Sequence, residues 1–187
     1  MDTVDAIRTR RSIRSYQERA VDRSLIEEVI RDAAQAPVTP LSEPQFFTVI
    51  EGARHVASCG DRAMEYARRN RPDRPGYDWT DRPGFSVFHG APAVIVISAP
   101  AANSQSFGDC VRSGQNLLLS AHARGLGACW VGAPMLWLQE PGTKAEMGIP
   151  AEHHPYAAFA VGHPGEAPAA RPCDLPRIIW IDGDGEP

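Results

Sequence analysis

Apolar residues recur along the chain in two rhythms, a three-to-four-residue period and short unbroken runs. Leu25, Ile26, Val29, Ile30 and Ala33 repeat at helical spacing between Asp22 or Ser24, either of which can cap a helix, and Pro37, which ends one. A helix is predicted over 22–36. The same period predicts a short helix over 2–9, with Val4 and Ile7 on one face and Asp2 and Asp5 near its positive N-terminal end. Further helices are expected over 52–69 and 105–124, the second apolar through Val111, Leu117, Leu118, Leu119 and Ala121 and stopped at Gly125. GTKAEMGIP predicts another short helix, ending at Gly148. The runs QFFTVI (45–50), APAVIVISAP (91–100), ACWVG (128–132) and YAAFAVG (156–162) predict strands. Residues 91–100 carry no polar alternation, as expected of a strand covered on both faces. RIIWID (177–182) reads as an exposed strand with no sequential neighbour to pair with, a pattern that points to completion of a second copy's sheet in a homodimer.

Two connections stand out. PVTPLSEP (37–44) holds three prolines and must be an extended loop. NRPDRPGYDWTDRPG (70–84) is long enough to be a lid or binding segment. Its Tyr77 and Trp79, with Phe85 beside them, read either as a cover over a ligand or as dimer-interface packing. No internal repeat appears, so 1–187 is expected to form one domain, and strands alternating with helices imply an α/β or α+β layered fold.

Composition narrows the function. With 43% hydrophobic and 22% charged residues and a net charge of −4, the chain reads as a globular protein without the basic excess a nucleic-acid partner requires. No apolar run approaches the ~20 residues needed to cross a bilayer, and MDTVDAIRTRR lacks the order of a signal peptide. A cytoplasmic protein with no membrane contact is the expectation. Cys59, Cys110, Cys129 and Cys173 are too widely separated for a zinc site and are expected to be reduced, mostly buried thiols. No histidine stands in H-E-x-x-H, and His153 and His154 are expected in a solvated loop. Ser12, Ser42, Ser86 and Ser113 lack the G-x-S-x-G elbow of a hydrolase nucleophile, and paired carboxylates are missing from the ends of the apolar strands.

Chemistry is suggested by RTRRSIRSY (8–16), where four arginines fall within seven positions of an acidic chain. Mutual repulsion among them is relieved by an anion, and Arg10, Arg11 and Arg14 bracketing Ser12 offer forked donors plus a hydroxyl suited to a phosphate. A solvated basic turn is the competing interpretation. RGLGACWVG contains glycines in a nucleotide-like pattern, but they follow a helix and precede a strand, so a helix cap at Gly125 and a tight turn at Gly127 explain them. A phosphate-suited cluster with no catalytic side chain in view fits a protein whose chemistry is done by a bound cofactor.

In order along the chain, AIRTRRSIRSY, AAQAP…EPQFFTVI, HGAPAVIVI, GQNLLLSAHARGLGACWVG and GIPAEHHPYAAFAVGHPGEAP followed by Arg171 resemble the nitroreductase family of flavin enzymes. The resemblance implies an α+β fold, a mostly antiparallel central sheet wrapped by helices, in an intertwined homodimer with FMN at the subunit interface. It implies hydride transfer from NADPH or NADH through flavin N5 to a nitroaromatic, quinone or related electrophile, and a C-terminal segment (172–187) that reaches across the dimer. Arg10 and Ser12 match positions that hold the FMN phosphate and ribityl chain, Arg11 adds to them, Arg171 pairs with the phosphate, and Arg14 lies near the pyrimidine edge. Gly132, Ala133, Pro134 and Met135 match the loop whose N–H groups meet N5 and O4, and Arg8 is left as an ordinary surface residue. The stretch Pro37, Val38, Thr39 and Leu41 departs from the family's A-P-S-x-x-N-x-Q-P-W, which supplies serine and asparagine from the partner subunit. Val38, Leu41, Glu43 and Gln45 stand in those places, so either Thr39 or Ser42 substitutes or the flavin is held more loosely. An FMN- or ligand-binding member with little or no reductase turnover is therefore the alternative, and a cofactor-free structural dimer a third reading.

Overall fold

A computed structural model describes residues 1–39, 45–73, 75–169 and 173–181. Its centre is a four-stranded antiparallel sheet in the order β1-β2-β4-β3, with β1 Phe46–Glu51, β2 Ala93–Pro100, β3 Gly127–Trp130 and β4 His153–Gly162. The apolar run predicted as a doubly covered strand is β2. Its Ala93, Ile95, Ile97 and Ala99 join one core cluster, whereas Val94 and Val96 join another. On the first face lie α2 (Arg23–Ala33), through Ile26, Val29 and Ala33, and α4 (Ser106–Ala123), through Cys110, Leu117 and Ala121. The second face is covered by α3 (Ala53–Asn70), through Val56, Cys59 and Ala63, and by α5 (Met135–Leu138), through Leu138. Each aliphatic side chain fully withdrawn from water this way contributes about 1.5–3 kcal/mol, and this two-sided burial holds the layers together. The fold is α+β, as expected.

Local signals explain most boundaries. Asp2 caps α1 (Thr3–Thr9) by accepting the Asp5 N–H at 2.9 Å. At the end of α4, Gly125 adopts φ 75°, its N–H reaches the His122 carbonyl at 3.0 Å, and the Leu126 N–H reaches Ala121 at 2.8 Å. That pair of bonds is the helix stop read from the sequence. Pro141 opens α6 (Pro141–Glu146) behind Glu140, whose carboxylate accepts the Thr143 N–H at 2.6 Å.

Several expectations are corrected. The predicted helix over 22–36 stops at Ala33, because the residue before Pro37 is kept out of the helical region and the chain leaves the helix one turn early. Val4 and Ile7 do share a face of α1, but it is exposed, and Ala6 is the buried residue. His153 and His154 do not lie in a solvated loop. They open β4, where His153 is buried opposite Pro100 and the His154 ring packs at a tilt against Tyr156, centroids 4.8 Å apart. Residues 177–181 form no strand within this chain and leave Ile179, Trp180 and Ile181 exposed. The loop 70–84 contains a 3-10 turn over Asp78–Asp81, and α5 has no counterpart among the predicted elements.

Candidate functional site

Strand β3 is an edge strand, and the arginine segment runs along it. Ser12 bridges Ala128 in parallel fashion, and the Ile13 N–H donates to the Ala128 carbonyl at 3.1 Å. Ile13 is buried over Gly127, where an added Cβ would come within 2.8 Å of the Ile13 side chain. Gly127 is therefore a point of close approach and not a tight turn. Farther along, the Gln17 N–H donates to His163 at 3.0 Å and the Gly165 N–H to Ser15 at 2.9 Å, so residues 163–165 are fastened to the same segment. The Tyr16 hydroxyl donates to the Ile13 carbonyl at 2.6 Å. With Ile13 turned inward, the alternation of an extended chain turns Ser12 and Arg14 the other way.

They face a cleft of about 500 Å³ lined by Arg10, Arg11, Ser12, Arg14, Glu166, Pro168 and Ala169. Within it the arginines differ. The Arg11 guanidinium is spent on carbonyls, donating to Arg8 at 2.9 Å, Arg10 at 2.6 Å and Ala169 at 3.2 Å. Arg10 is not spent in that way, because its Nη1 is buried and has no hydrogen-bond partner among the described residues. An unmet buried charged donor costs more than the ~1–3 kcal/mol of a neutral one, so an anion is the natural occupant. Glu166, whose carboxylate accepts the Arg14 backbone N–H at 2.5 Å, is the one acidic residue lining the cleft. Under Ser12, burial pushes the Cys129 thiol upward, which keeps it protonated and makes it a poor nucleophile. His122 accepts or shares a hydrogen bond with Thr9 at 2.8 Å, and burial, aided by Arg10 and Arg11, keeps its pKa low.

Arg14 also lines a second cleft, of about 490 Å³. One wall is Trp130, Val131, Gly132, Ala133 and Met135, and across from it stand Tyr77, Trp79, Phe85 and His89. No backbone carbonyl among the described residues accepts from the Gly132 or Ala133 N–H, which leaves both donors for a ligand. The aromatic wall is pinned from behind. Thr80 is fully buried, its carbonyl accepts from Arg68 at 2.9 Å, and its hydroxyl donates to Tyr77 at 2.8 Å and accepts from Arg71. A basic cleft that shares Arg14 with an adjoining aromatic-lined one fits a ligand with a phosphate at one end and an aromatic ring at the other.

Of the predicted site residues, Arg10, Arg11, Ser12 and Arg14 come together in one cleft and Gly132, Ala133 and Met135 in the adjoining one, with Pro134 opening α5. Leu41 and Arg171 lie outside the described residues. Pro37, Val38 and Thr39 line neither cleft of their own chain. The Pro37 carbonyl accepts from Arg112 at 2.8 Å, and the Thr39 hydroxyl donates to Asp109 at 3.1 Å, which ties this loop to α4. Sequence reasoning passed over His89, Trp130, Glu166 and Leu136. The first three sat inside quoted motifs, but only the fold turns them toward the clefts.

The nitroreductase family model matches residues 7–163. A protein of Methanothermobacter thermautotrophicus named as a candidate NADH dehydrogenase/NAD(P)H nitroreductase is 29% identical over 186 residues, covering 97% of this chain and 87% of its own. A Bacteroides fragilis nitroreductase solved with bound FMN superimposes with a TM-score of 0.84 at 19% identity, covering 97% of this chain and all of that one. An iodotyrosine deiodinase solved with FMN and 3-iodo-L-tyrosine has the same fold, with a TM-score of 0.74 at 16% identity over 95% of this chain and 97% of its own. The chain belongs to the nitroreductase family.

Proposed function

We propose that this protein is an FMN-dependent oxidoreductase that uses NADPH or NADH to reduce a nitroaromatic, quinone or related electrophile. The observation that carries this reading is the buried Arg10 Nη1, without a partner among the described residues, in a cleft that shares Arg14 with a second one lined by Gly132, Ala133 and an aromatic wall. The chemistry FMN supplies when bound there is two-electron transfer between nicotinamide and acceptor. Every other task falls to the chain. Arg10 and Ser12 hold the phosphate, with Arg171 as a further cation. Arg14 sets a positive charge beside the ring and so favours the reduced, anionic state. The N–H groups of Gly132 and Ala133 bind and orient the ring edge, and Tyr77, Trp79 and Phe85 exclude water from its outer face. The exposed Leu175, Ile179, Trp180 and Ile181 support a homodimer, with the C-terminal segment of one protomer against its partner and Pro37, Val38, Thr39 and Leu41 serving the partner's cofactor. A protein of this kind works in the cytoplasm.

The test is the visible spectrum of the purified protein together with nicotinamide oxidation. Flavin absorbance and NADPH or NADH consumption stimulated by a quinone are expected, whereas colourless protein that takes up no added FMN overturns the reading. A second reading, flavin binding without turnover, is favoured by the engagement of the Thr39 hydroxyl with Asp109 within its own chain. It predicts yellow protein that neither nicotinamide reduces.

A further inference from the structure

His89 is the one described residue other than glycine whose backbone is left-handed, at φ 56°, and Gly90 follows at φ 72°. A turn that needs two such residues in succession is formed with less strain by glycine at both positions. The side chain at 89 therefore calls for a reason. Its ring lies edge-on to Phe85, with centroids 6.1 Å apart and planes at 78°, and lines the second cleft with Trp79 and Arg14. No group among the described residues hydrogen-bonds either ring nitrogen. Burial and the Arg14 cation hold the imidazole below its usual range, with Glu166 opposing them, so at neutral pH it keeps one N–H donor and no charge.

We propose that His89 determines specificity in this cleft by donating a hydrogen bond from its ring to an oxygen of a planar aromatic acceptor stacked against Trp79 and Phe85. The inference rests on the FMN reading and adds the residue that selects among its acceptors, favouring those with a nitro, carbonyl or carboxylate oxygen within reach of the His89 ring. Arg14 is exposed and adds a cation to the same cleft, while the His89 ring, set by the left-handed turn and by Phe85, adds a donor of fixed direction.

The experiment uses 4-nitrobenzoate, added without nicotinamide to the oxidised, FMN-loaded protein, with binding read from the flavin absorbance shift and from tryptophan quenching. His89→Phe keeps a ring against Phe85 and removes both nitrogens. It is expected to weaken 4-nitrobenzoate about fivefold to tenfold while FMN affinity is unchanged. His89→Asn, which tolerates the left-handed backbone and restores a donor, is expected to recover part of the loss. His89→Gly should bind as poorly as His89→Phe yet melt at a higher temperature, because the turn is relaxed. Equal binding by wild type, His89→Phe and His89→Gly, with FMN loaded in all three, overturns this inference alone. Failure of every form, wild type included, to load FMN overturns the flavin reading beneath it.

Discussion

Residues 10–14 and residues 37–39 are both short, extended and matched to cofactor-contacting stretches of the family, but they differ in what their polar groups have already bonded. In the first segment the Arg10 Nη1 is buried with no partner among the described residues, although the backbone is fixed to β3 through Ser12 and Ile13. In the second the Thr39 hydroxyl, the Thr39 N–H and the Pro37 carbonyl are taken by Asp109 and Arg112 of α4. Position is built into both, but among the described residues a buried charged donor is left over only in the first. A site differs from a scaffold in that its donors are ordered before their partner arrives, so the ligand meets them without further loss of entropy.

The largest expected effect comes from removing that spare capacity. Arg10→Ala combined with Ser12→Ala deletes a charged donor and a hydroxyl, each hydrogen bond to an anion being worth roughly 1.5–3 kcal/mol, and FMN affinity should fall by at least about 100-fold. Thermal stability should hold or rise, since Arg10 Nη1 makes no bond among the described residues and the cluster loses one repelling charge. Flavin titration beside a melting curve checks both, and the contrast between the segments breaks if affinity is unchanged.

Next comes the track on which the first segment lies. In Gly127→Ala the new methyl meets Ile13 at 2.8 Å, beneath both the segment and β3. Overpacking of this kind costs about 1–3 kcal/mol. Urea unfolding should register it, and FMN affinity should weaken with it, because Ser12 and Arg14 are displaced with Ile13.

How far the sequence foretold these features depends on how local their causes are. The β2 run, the Gly125 stop and the arginine cluster were legible because a few adjacent residues carry the whole signal. The role of Gly127 was misread because its partner, Ile13, lies more than a hundred positions away. His153 was misplaced for a like reason. Two adjacent histidines look solvated until Phe46 and Pro100 are known to cover the first of them. The second cleft is half visible in the sequence, with its aromatics in 77–85 singled out but His89 read only as part of a strand-flanking motif and Trp130 only as part of a strand. Val38 is legible as a departure from the family and Thr39 as its substitute, yet nothing near them in sequence announces Asp109 as the partner of Thr39 or Arg112 as that of Pro37.

A smaller loss is expected where capacity is already used. Thr39→Val removes the bond to Asp109 from a half-buried site, at about 0.5–1.5 kcal/mol. Chemical denaturation should show the drop while the protein's affinity for FMN moves less than twofold. A loss of FMN affinity as large as that of the Arg10 and Ser12 pair would show that the Thr39 hydroxyl, and not only the backbone of this loop, holds the partner's cofactor, and would erase the distinction between the two segments.

The smallest effect belongs to a used pair at the surface. Arg71 meets Asp81 at 2.6 Å behind the aromatic wall, and its guanidinium holds the Asp81 carboxyl below the usual aspartate range. A carboxyl depressed in the folded state stabilises the fold while ionised, so the contribution is present above the ordinary aspartate pKa and disappears as pH falls through the lower, folded value. Both side chains are substantially solvated, which screens the pair. Tryptophan emission followed during acid titration should therefore report only a slight loosening around Trp79 below about pH 4, in the range where an unpaired aspartate titrates, and Asp81→Asn should flatten that change without altering FMN affinity. A large loss of FMN on acidification that Asp81→Asn abolishes would make this surface pair, like Arg10, part of the site itself.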